Sequence, residues 1–277
     1  VVTLANGVTS IYSSEHDETF HPVIGPVAEA EALYVRQLRL PERVRDLPVE
    51  FVIWDVGLGA AANVLTVLRA VSGHPCNLRV ISFDHTLGPL EFGLQHANEL
   101  GYFGGFEEPI RQLLRDHRVV FQYEAARVDW TVYVEDFPSF INSPEAARLA
   151  KPHAILFDAF SPATNPAMWT QPLFARIYSL LNPQRPCALP TYSRSTMLRV
   201  SLLLAGFYVG VGHATGEKEE TTIAANSMSL IDEPLDRKWL ERARRSTSAE
   251  PLWTAEYRQA KMSEATSQRL KAHPQFE

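Results

Sequence analysis

Four short stretches of this chain place acids and glycines where a ligand could meet them. The first is Asp55-Val56-Gly57-Leu58-Gly59, continued by Ala60-Ala61-Ala62-Asn63. Glycine lets a backbone turn sharply and approach a ligand with no Cβ in the way. The second is Asp84, at about the ~20-residue spacing after such a turn at which an acid meets a ribose; a carboxylate suits it because the hydroxyls donate. The third is Glu135-Asp136, an acid pair able to accept from the exocyclic amine of an adenine, with Phe137 beside it to stack on a ring. The fourth is the loop from Asp158 through Phe160, Ser161, Pro162 and Asn165 to Trp169. Its prolines stiffen it, and an acid, an amide and flat rings together could hold a flat, polar substrate.

Each stretch falls at the end of a strand. Residues 51–54 are apolar or aromatic without alternation, as in a strand buried on both faces of a parallel sheet. Residues 60–70 then carry helical spacing, so strand, glycine turn and helix form the first half of a nucleotide-binding unit. Further strands are predicted over 78–83, 119–123, 128–134, 153–157 and 187–189. Helices are predicted over 29–38, 89–100, 106–117, 137–149, 168–181 and 195–204, with Gly101 and Gly206 as stops. Strands over 207–211 and 221–225 are joined by too short a loop for a crossover helix and must be antiparallel.

The glycine turn by itself fits three readings. Gly57, Gly59 and Ala62 satisfy a dinucleotide fingerprint, which makes a nicotinamide dehydrogenase one of them. An enzyme of S-adenosyl-L-methionine (SAM), whose nucleoside has no pyrophosphate, is another, and a turn that binds nothing is the third. Asp84 could instead cap a turn or helix, and Asp136 could equally cap the helix that follows it. The antiparallel ending favours a methyltransferase architecture, and no Tyr/Lys or Cys set for hydride transfer is evident. An aminopropyltransferase would also use a strand-tip acid. A tRNA- or protein-binding module that keeps the fold without catalysis is the reading from another class.

With 277 residues, 45% of them hydrophobic and 21% charged, the chain can build one large α/β domain with small additions. No apolar run approaches the ~18 residues of a transmembrane helix. The first ten residues lack the basic and apolar blocks of a secretory leader. Cys76 and Cys187 are far apart and outside any CxxC, so neither a disulfide framework nor a metal site is expected, and a cytoplasmic location fits. The isolated His16 and His21 are not expected to bind metal. Net charge is −6, which gives nucleic acid no global attraction and leaves the basic run 237–245 as a local patch.

Taken together the motifs resemble the methyltransferase domain of MnmC, the bacterial bifunctional enzyme of 5-methylaminomethyl-2-thiouridine biosynthesis in tRNA. They are more similar still to its stand-alone relatives without the oxidase domain. The pieces that match are Tyr12-Ser13-Ser14-Glu15 with residues 29–35, the 55–59 turn with Asn63, Asp84, Glu135-Asp136, the Asp158–Trp169 loop, Ala205-Gly206-Phe207 and Gly216-Glu217-Lys218-Glu219. The chain departs from the family at Ala60-Ala61-Ala62, where Gly or Thr is usual, at Asp84, more often Glu, and at Ser161, usually Ala.

The resemblance implies a class I SAM-dependent methyltransferase fold: α/β, Rossmann-like, with a mostly parallel sheet and an antiparallel C-terminal hairpin. It implies SAM as cofactor, with Asp55, Gly57, Gly59 and Asn63 around its methionine portion, Asp84 at the ribose and Glu135 and Asp136 at the adenine. Asp158 would face both the transferred methyl and the acceptor amine as the catalytic group. Phe160, Pro162, Asn165, Trp169 and Lys218 would meet the substrate, the wobble uridine of tRNA, and a separate oxidase is a candidate partner. The organisation expected is a lead-in strand, loop and helix over 1–45, the SAM-binding domain over 46–230, and a helical appendage over 231–277.

Overall fold

A computed structural model describes residues 1–46, 50–216 and 219–277. The N-terminal segment forms two antiparallel ladders of minimal length, β1 (Val2–Thr3) with β2 (Thr9–Ser10) and β3 (Tyr12–Ser13) with β4 (Glu18–Thr19). Helix α1 (Pro26–Ala30) follows, with Gly25 in the left-handed region before it and Pro26 at its first turn. It runs directly into a π-helical stretch over Glu31–Arg36, then α2 (Leu40–Arg45).

The sheet begins at β5 (Phe51–Val56), every residue of which is buried, as an unalternating apolar run requires when helices cover both faces. The chain continues through α3 (Ala62–Val71), β6 (Cys76–Asp84), α4 (Gly88–Gln95), α5 (Ala97–Leu100), α6 (Glu107–Asp116), β7 (Arg118–Tyr123) and β8 (Ala126–Val134). Then come α7 (Phe137–Ile141), β9 (Ala154–Phe157), α8 (Gln171–Leu180), β10 (Ala188–Thr191), α9 (Thr196–Ala205), β11 (Tyr208–Gly212) and β12 (Thr221–Ala225). The eight strands lie in the order β11-β12-β10-β9-β5-β6-β8-β7. The run β10-β9-β5-β6-β8 is parallel. Strand β12 pairs antiparallel with both β10 and β11, as the short loop predicted, and β7 closes the other edge antiparallel to β8.

Successive residues of β5 serve opposite faces. Ile53 packs with α3 and the α1–α2 layer, whereas Val52, Trp54 and Val56 pack with α7, α8 and α9. Three helices predicted as single runs are interrupted, the one over 168–181 at the extended Thr170. The 89–100 helix breaks at His96. The 137–149 helix stops at Ile141, because Pro144 has no N–H and its ring would meet the carbonyl a turn earlier.

The last segment carries α10 (Arg237–Arg245) and α11 (Glu264–Lys271). Leu235, Trp239, Leu240, Leu252, Leu270 and Phe276 from it are buried in the same cluster as α8 and α9. A bridge from Thr170 to Leu252 and another from Gly210 to Pro234 fasten it to the domain. Among the described residues no helix is long and apolar enough to cross a membrane.

Candidate active site

The C-terminal tips of β5, β6, β8 and β9 open on a cavity of about 990 Å³, roofed by residues 10–22 of the N-terminal segment. This is where open α/β sheets bind ligands. Gly57 lies at its floor with φ +92°, and its N–H donates to the Phe83 carbonyl at 3.0 Å. A Cβ built on Gly57 would stand 2.4 Å from the Asp158 carbonyl oxygen, so the glycine turn and the β9 tip touch through bare backbone. Gly59 also has positive φ and donates its N–H to Asp84 Oδ2 at 2.9 Å. Ala61 adopts φ +62° before α3, a conformation that costs a residue with a Cβ roughly 1–2 kcal/mol.

Asp84 is held further by His85 Nδ1 at 3.1 Å on its other oxygen. A carboxylate has about four acceptor sites, so Asp84 can be fixed by the glycine turn and by His85 and still accept from ribose hydroxyls. Asp136 caps α7, its Oδ2 accepting from Ser139 N at 3.0 Å and Ser139 Oγ at 2.6 Å. Asp136 and its neighbour Glu135 both line the cavity.

Asp158 follows β9. Its Oδ2 accepts from Asn63 Nδ2 at 2.7 Å and lies 3.5 Å from His21 Nε2. The backbone on either side of it is pinned by tyrosines: Tyr34 Oη donates to the Phe157 carbonyl at 3.3 Å and Tyr192 Oη to the Ala159 carbonyl at 3.0 Å. Burial pushes both phenols well above their ordinary range, and the charge of Asp158 adds to it. Both therefore stay protonated as donors. Beyond Asp158 the loop is tied to the roof, where Glu18 accepts from the Ser161 backbone N–H at 3.2 Å and from the Ser161 and Thr164 hydroxyls. Burial alone would raise the Glu18 pKa; these hydrogen bonds outweigh it and bring it below the ordinary value. His16 stacks on Phe160, ring centres 4.0 Å apart at 12°.

Gly57, Gly59, Asn63, Asp84, Glu135, Asp136, Asp158, Phe160 and Asn165 thus line one cavity, as their order at strand tips predicts. Three expected contacts are corrected. Asp55 points into the core below the floor, wholly buried, because its position in β5 faces α3. Trp169 is 1% exposed, packed edge-on against Phe157 and Tyr192, and its indole N–H donates to the Phe160 carbonyl at 2.7 Å. It shapes the loop from beneath instead of offering a ring to a substrate. Pro162 does not line the cavity. Lys218 lies outside the described residues. His21, Glu29, Glu18 and Tyr192 line the cavity and carry no local sequence signal for it. Only Glu29 stood in a matching stretch.

The sign of the lining is its plainest chemical property. Glu15, Glu18, Glu29, Asp84, Glu135, Asp136 and Asp158 all face it, and among the described lining residues there is no Lys or Arg. Such a site favours cations. It disfavours a pyrophosphate, which needs donors, and the Gly59 N–H is already given to Asp84. Buried Asn63 Oδ1 has no protein partner, an orphaned acceptor beside the turn that the ammonium of a methionyl group would satisfy. The sulfonium and ammonium of SAM therefore fit these residues.

Asp55 supplies a test of the electrostatics. Burial pushes its pKa up to about 7, against the hydrogen bond from Ser82 Oγ at 2.7 Å and with the charges of Asp158 and Asp84 adding to the rise. Its folded pKa lies above its unfolded one, so between the two the native state holds a proton the unfolded chain has lost. Stability then falls as pH rises from about 4 through about 7. Asp55→Asn is expected to raise the melting temperature near pH 8 by an amount that vanishes toward pH 4, with roughly 4 kcal/mol as the ceiling. Equal shifts at both ends of that range would show that the charge of Asp55 is not the cause.

Fold and site together define a SAM-binding methyltransferase domain of the Rossmann-like class. The family model described as S-adenosyl-L-methionine-dependent methyltransferase matches residues 106–227. The chain carries a methyltransferase domain homologous to that of the MnmC proteins. It is 27% identical over 251 residues to the tRNA 5-methylaminomethyl-2-thiouridine biosynthesis bifunctional protein MnmC of Ralstonia nicotianae, covering 87% of this chain and 35% of that one. It is 28% identical over 221 residues to the protein of the same name from Aeromonas hydrophila, covering 75% and 32%. The chain thus spans about a third of the length of these curated relatives. The crystal structure of MNMC2 from Aquifex aeolicus superposes with a TM-score of 0.69 at 21% identity, over 98% of this chain and 82% of that one, a likeness of fold.

Proposed function

We propose that the chain transfers the methyl group of SAM to the amino nitrogen of an aminomethyl group on the wobble uridine of tRNA. The observation that carries this reading is Asp158, a strand-tip carboxylate pinned on both sides in a cavity whose described lining is acidic and free of Lys and Arg. Bound SAM supplies a sulfonium methyl that is already electrophilic, so the protein's task is alignment and exclusion of water. In this reading Gly57, Gly59 and Asn63 hold the methionyl portion, Asp84 the ribose, and Glu135 and Asp136 the adenine. Asp158 accepts a hydrogen bond from the acceptor amine and orients its lone pair. Phe160 and Asn165, on the same cavity wall, meet the uridine. The names of the curated relatives support tRNA as the substrate class, and a separate oxidase partner and a cytoplasmic location belong to the same proposal.

Calorimetric titration with SAM, with NADH as control, tests the cofactor assignment, and micromolar SAM binding without NADH binding is expected. Transfer of labelled methyl from SAM should then occur to tRNA bearing the aminomethyl group and not to tRNA with an unmodified wobble uridine. SAM binding without transfer to any tRNA would favour the non-catalytic binding module. NADH binding in place of SAM would overturn the assignment of the glycine turn.

A further inference from the structure

One cluster on the cavity wall has no place yet in the methyl transfer. His21 stands between two carboxylates, Nδ1 3.2 Å from Glu29 Oε1 and Nε2 3.5 Å from Asp158 Oδ2. The three side chains are 9%, 6% and 14% exposed, and their facing atoms all lie within 4.8 Å of one another. The segment holds His21 there at a cost. Its φ is +47°, an uncommon conformation for a residue with a side chain, and the proline that follows disfavours helical backbone at the position before it. Such conformations persist where the surroundings over-determine them. Here they aim an imidazole at the strand-tip acid.

We propose that Asp158, Glu29 and His21 form an ammonium subsite in which an amine acceptor binds as its cation against Asp158 and gives up a proton that His21 holds. This rests on the methyltransferase reading and adds to it the protonation state of the acceptor. His21 acts through Asp158 and is a positioning residue.

The charged groups that face His21 come from two elements. They are Glu29 on α1 and Asp158 after β9, with the Tyr34 hydroxyl from the π-helical stretch and the Tyr192 hydroxyl after β10 acting on the same two acids. Burial lowers the pKa of His21, but the charge of Asp158 and the hydrogen bond and charge of Glu29 outweigh it and raise it to about 8. At neutral pH the resting ring is therefore an imidazolium spanning two carboxylates.

Arrival of a sulfonium and an ammonium beside those carboxylates competes with that charge, and the ring's own proton leaves to solvent. The ammonium then passes a proton to Asp158, and Asp158 passes one to Nε2 of the neutral ring. The amine nitrogen now has its lone pair. It forms the N–C bond to the methyl carbon while the C–S bond breaks, and that electron pair stays on sulfur as a thioether. The product is an N-methylammonium, with one proton released overall, so charge and atoms balance.

The test follows the His21 ring by NMR during pH titration of the full chain. The probes are S-adenosylhomocysteine, a neutral thioether, and sinefungin, which carries an ammonium where SAM carries its methylated sulfur. The free protein should show His21 titrating near 8, and sinefungin should lower that value by about one unit or more relative to S-adenosylhomocysteine. Glu29→Gln should lower it in the free protein, and should move the acid limb of the kcat/KM–pH profile to lower pH by the same amount. A merely structural contact would leave that limb in place. A ring that titrates near 6.5, or that does not distinguish the two probes, overturns the proposal. A chain that methylates no tRNA, yet whose His21 responds to sinefungin as expected, refutes the wobble-uridine reading and supports the ammonium subsite.

Discussion

Replacing Asp158 with Asn is expected to lower kcat by about 10²–10⁴-fold while SAM affinity changes only a few-fold. Asparagine keeps the shape and can still accept from Asn63 Nδ2, which now stands 2.7 Å from the carboxylate. It removes the charge and the ability to take a proton. An amine bound as its cation loses both its counter-ion and its route to deprotonation, and the barrier rises by roughly 3–5 kcal/mol. The methionyl portion and the nucleoside would be held by Gly57, Gly59, Asn63, Asp84 and Asp136; of these Asn63 bonds the Asp158 side chain, and an asparagine oxygen there can replace that acceptor. Single-turnover methylation together with calorimetry separates the two quantities. Equal losses in turnover and in affinity would place Asp158 in cofactor binding and remove it from the chemistry.

Gly57→Ala is expected to have the largest effect on the fold of the site. The residue has φ +92°, and its new Cβ would meet the Asp158 carbonyl oxygen at 2.4 Å and the carbonyl carbon at 3.0 Å. Those are backbone atoms of the neighbouring strand tip, so no rotamer change relieves the contact. The tips would have to part, straining Asp158 N to Val56 O, now 2.9 Å, and Gly57 N to Phe83 O, now 3.0 Å. Backbone strain and overpacking together should cost about 3 kcal/mol or more, and SAM binding should be lost. Gly59→Ala is the control. Its φ is +52° and the nearest atom to its Cβ is on the Phe20 ring at 3.2 Å, a side chain that can yield, so about 1–2 kcal/mol is expected. Chemical denaturation of both variants gives the comparison, and a Gly57→Ala protein as stable as Gly59→Ala would refute the close approach.

The two variants also separate fold from chemistry. One changes a charge and leaves the backbone where it is. The other leaves every charge in place and moves the backbone that positions Asp158.

The sequence by itself determined the sheet and the place of the site. An unalternating apolar run at 51–54 can be satisfied only between two layers, and the acids at 84, 135–136 and 158 each follow a stretch with the pattern of a strand. Strands of a parallel sheet end on the same side, so residues far apart in the chain had to meet there. The short loop before residue 221 likewise left antiparallel pairing as the only connection. Local chemistry could not say which face each side chain takes at the rim. Asp55 and Asp84 look alike in sequence, yet one points under α3 and the other into the cavity.

Trp169 reads as a flat ring in a polar loop, and the tertiary packing buries it because a large apolar surface is worth more inside. His21 and Glu29 lie in the lead-in segment before the sheet, with no motif between them and Asp158. Only the fold of that segment over the strand tips, through Glu18 on Ser161 and His16 on Phe160, brings an imidazole and a second acid to Asp158. Where the strands lie follows from patterns of a few residues, whereas the groups around Asp158 meet it only through space.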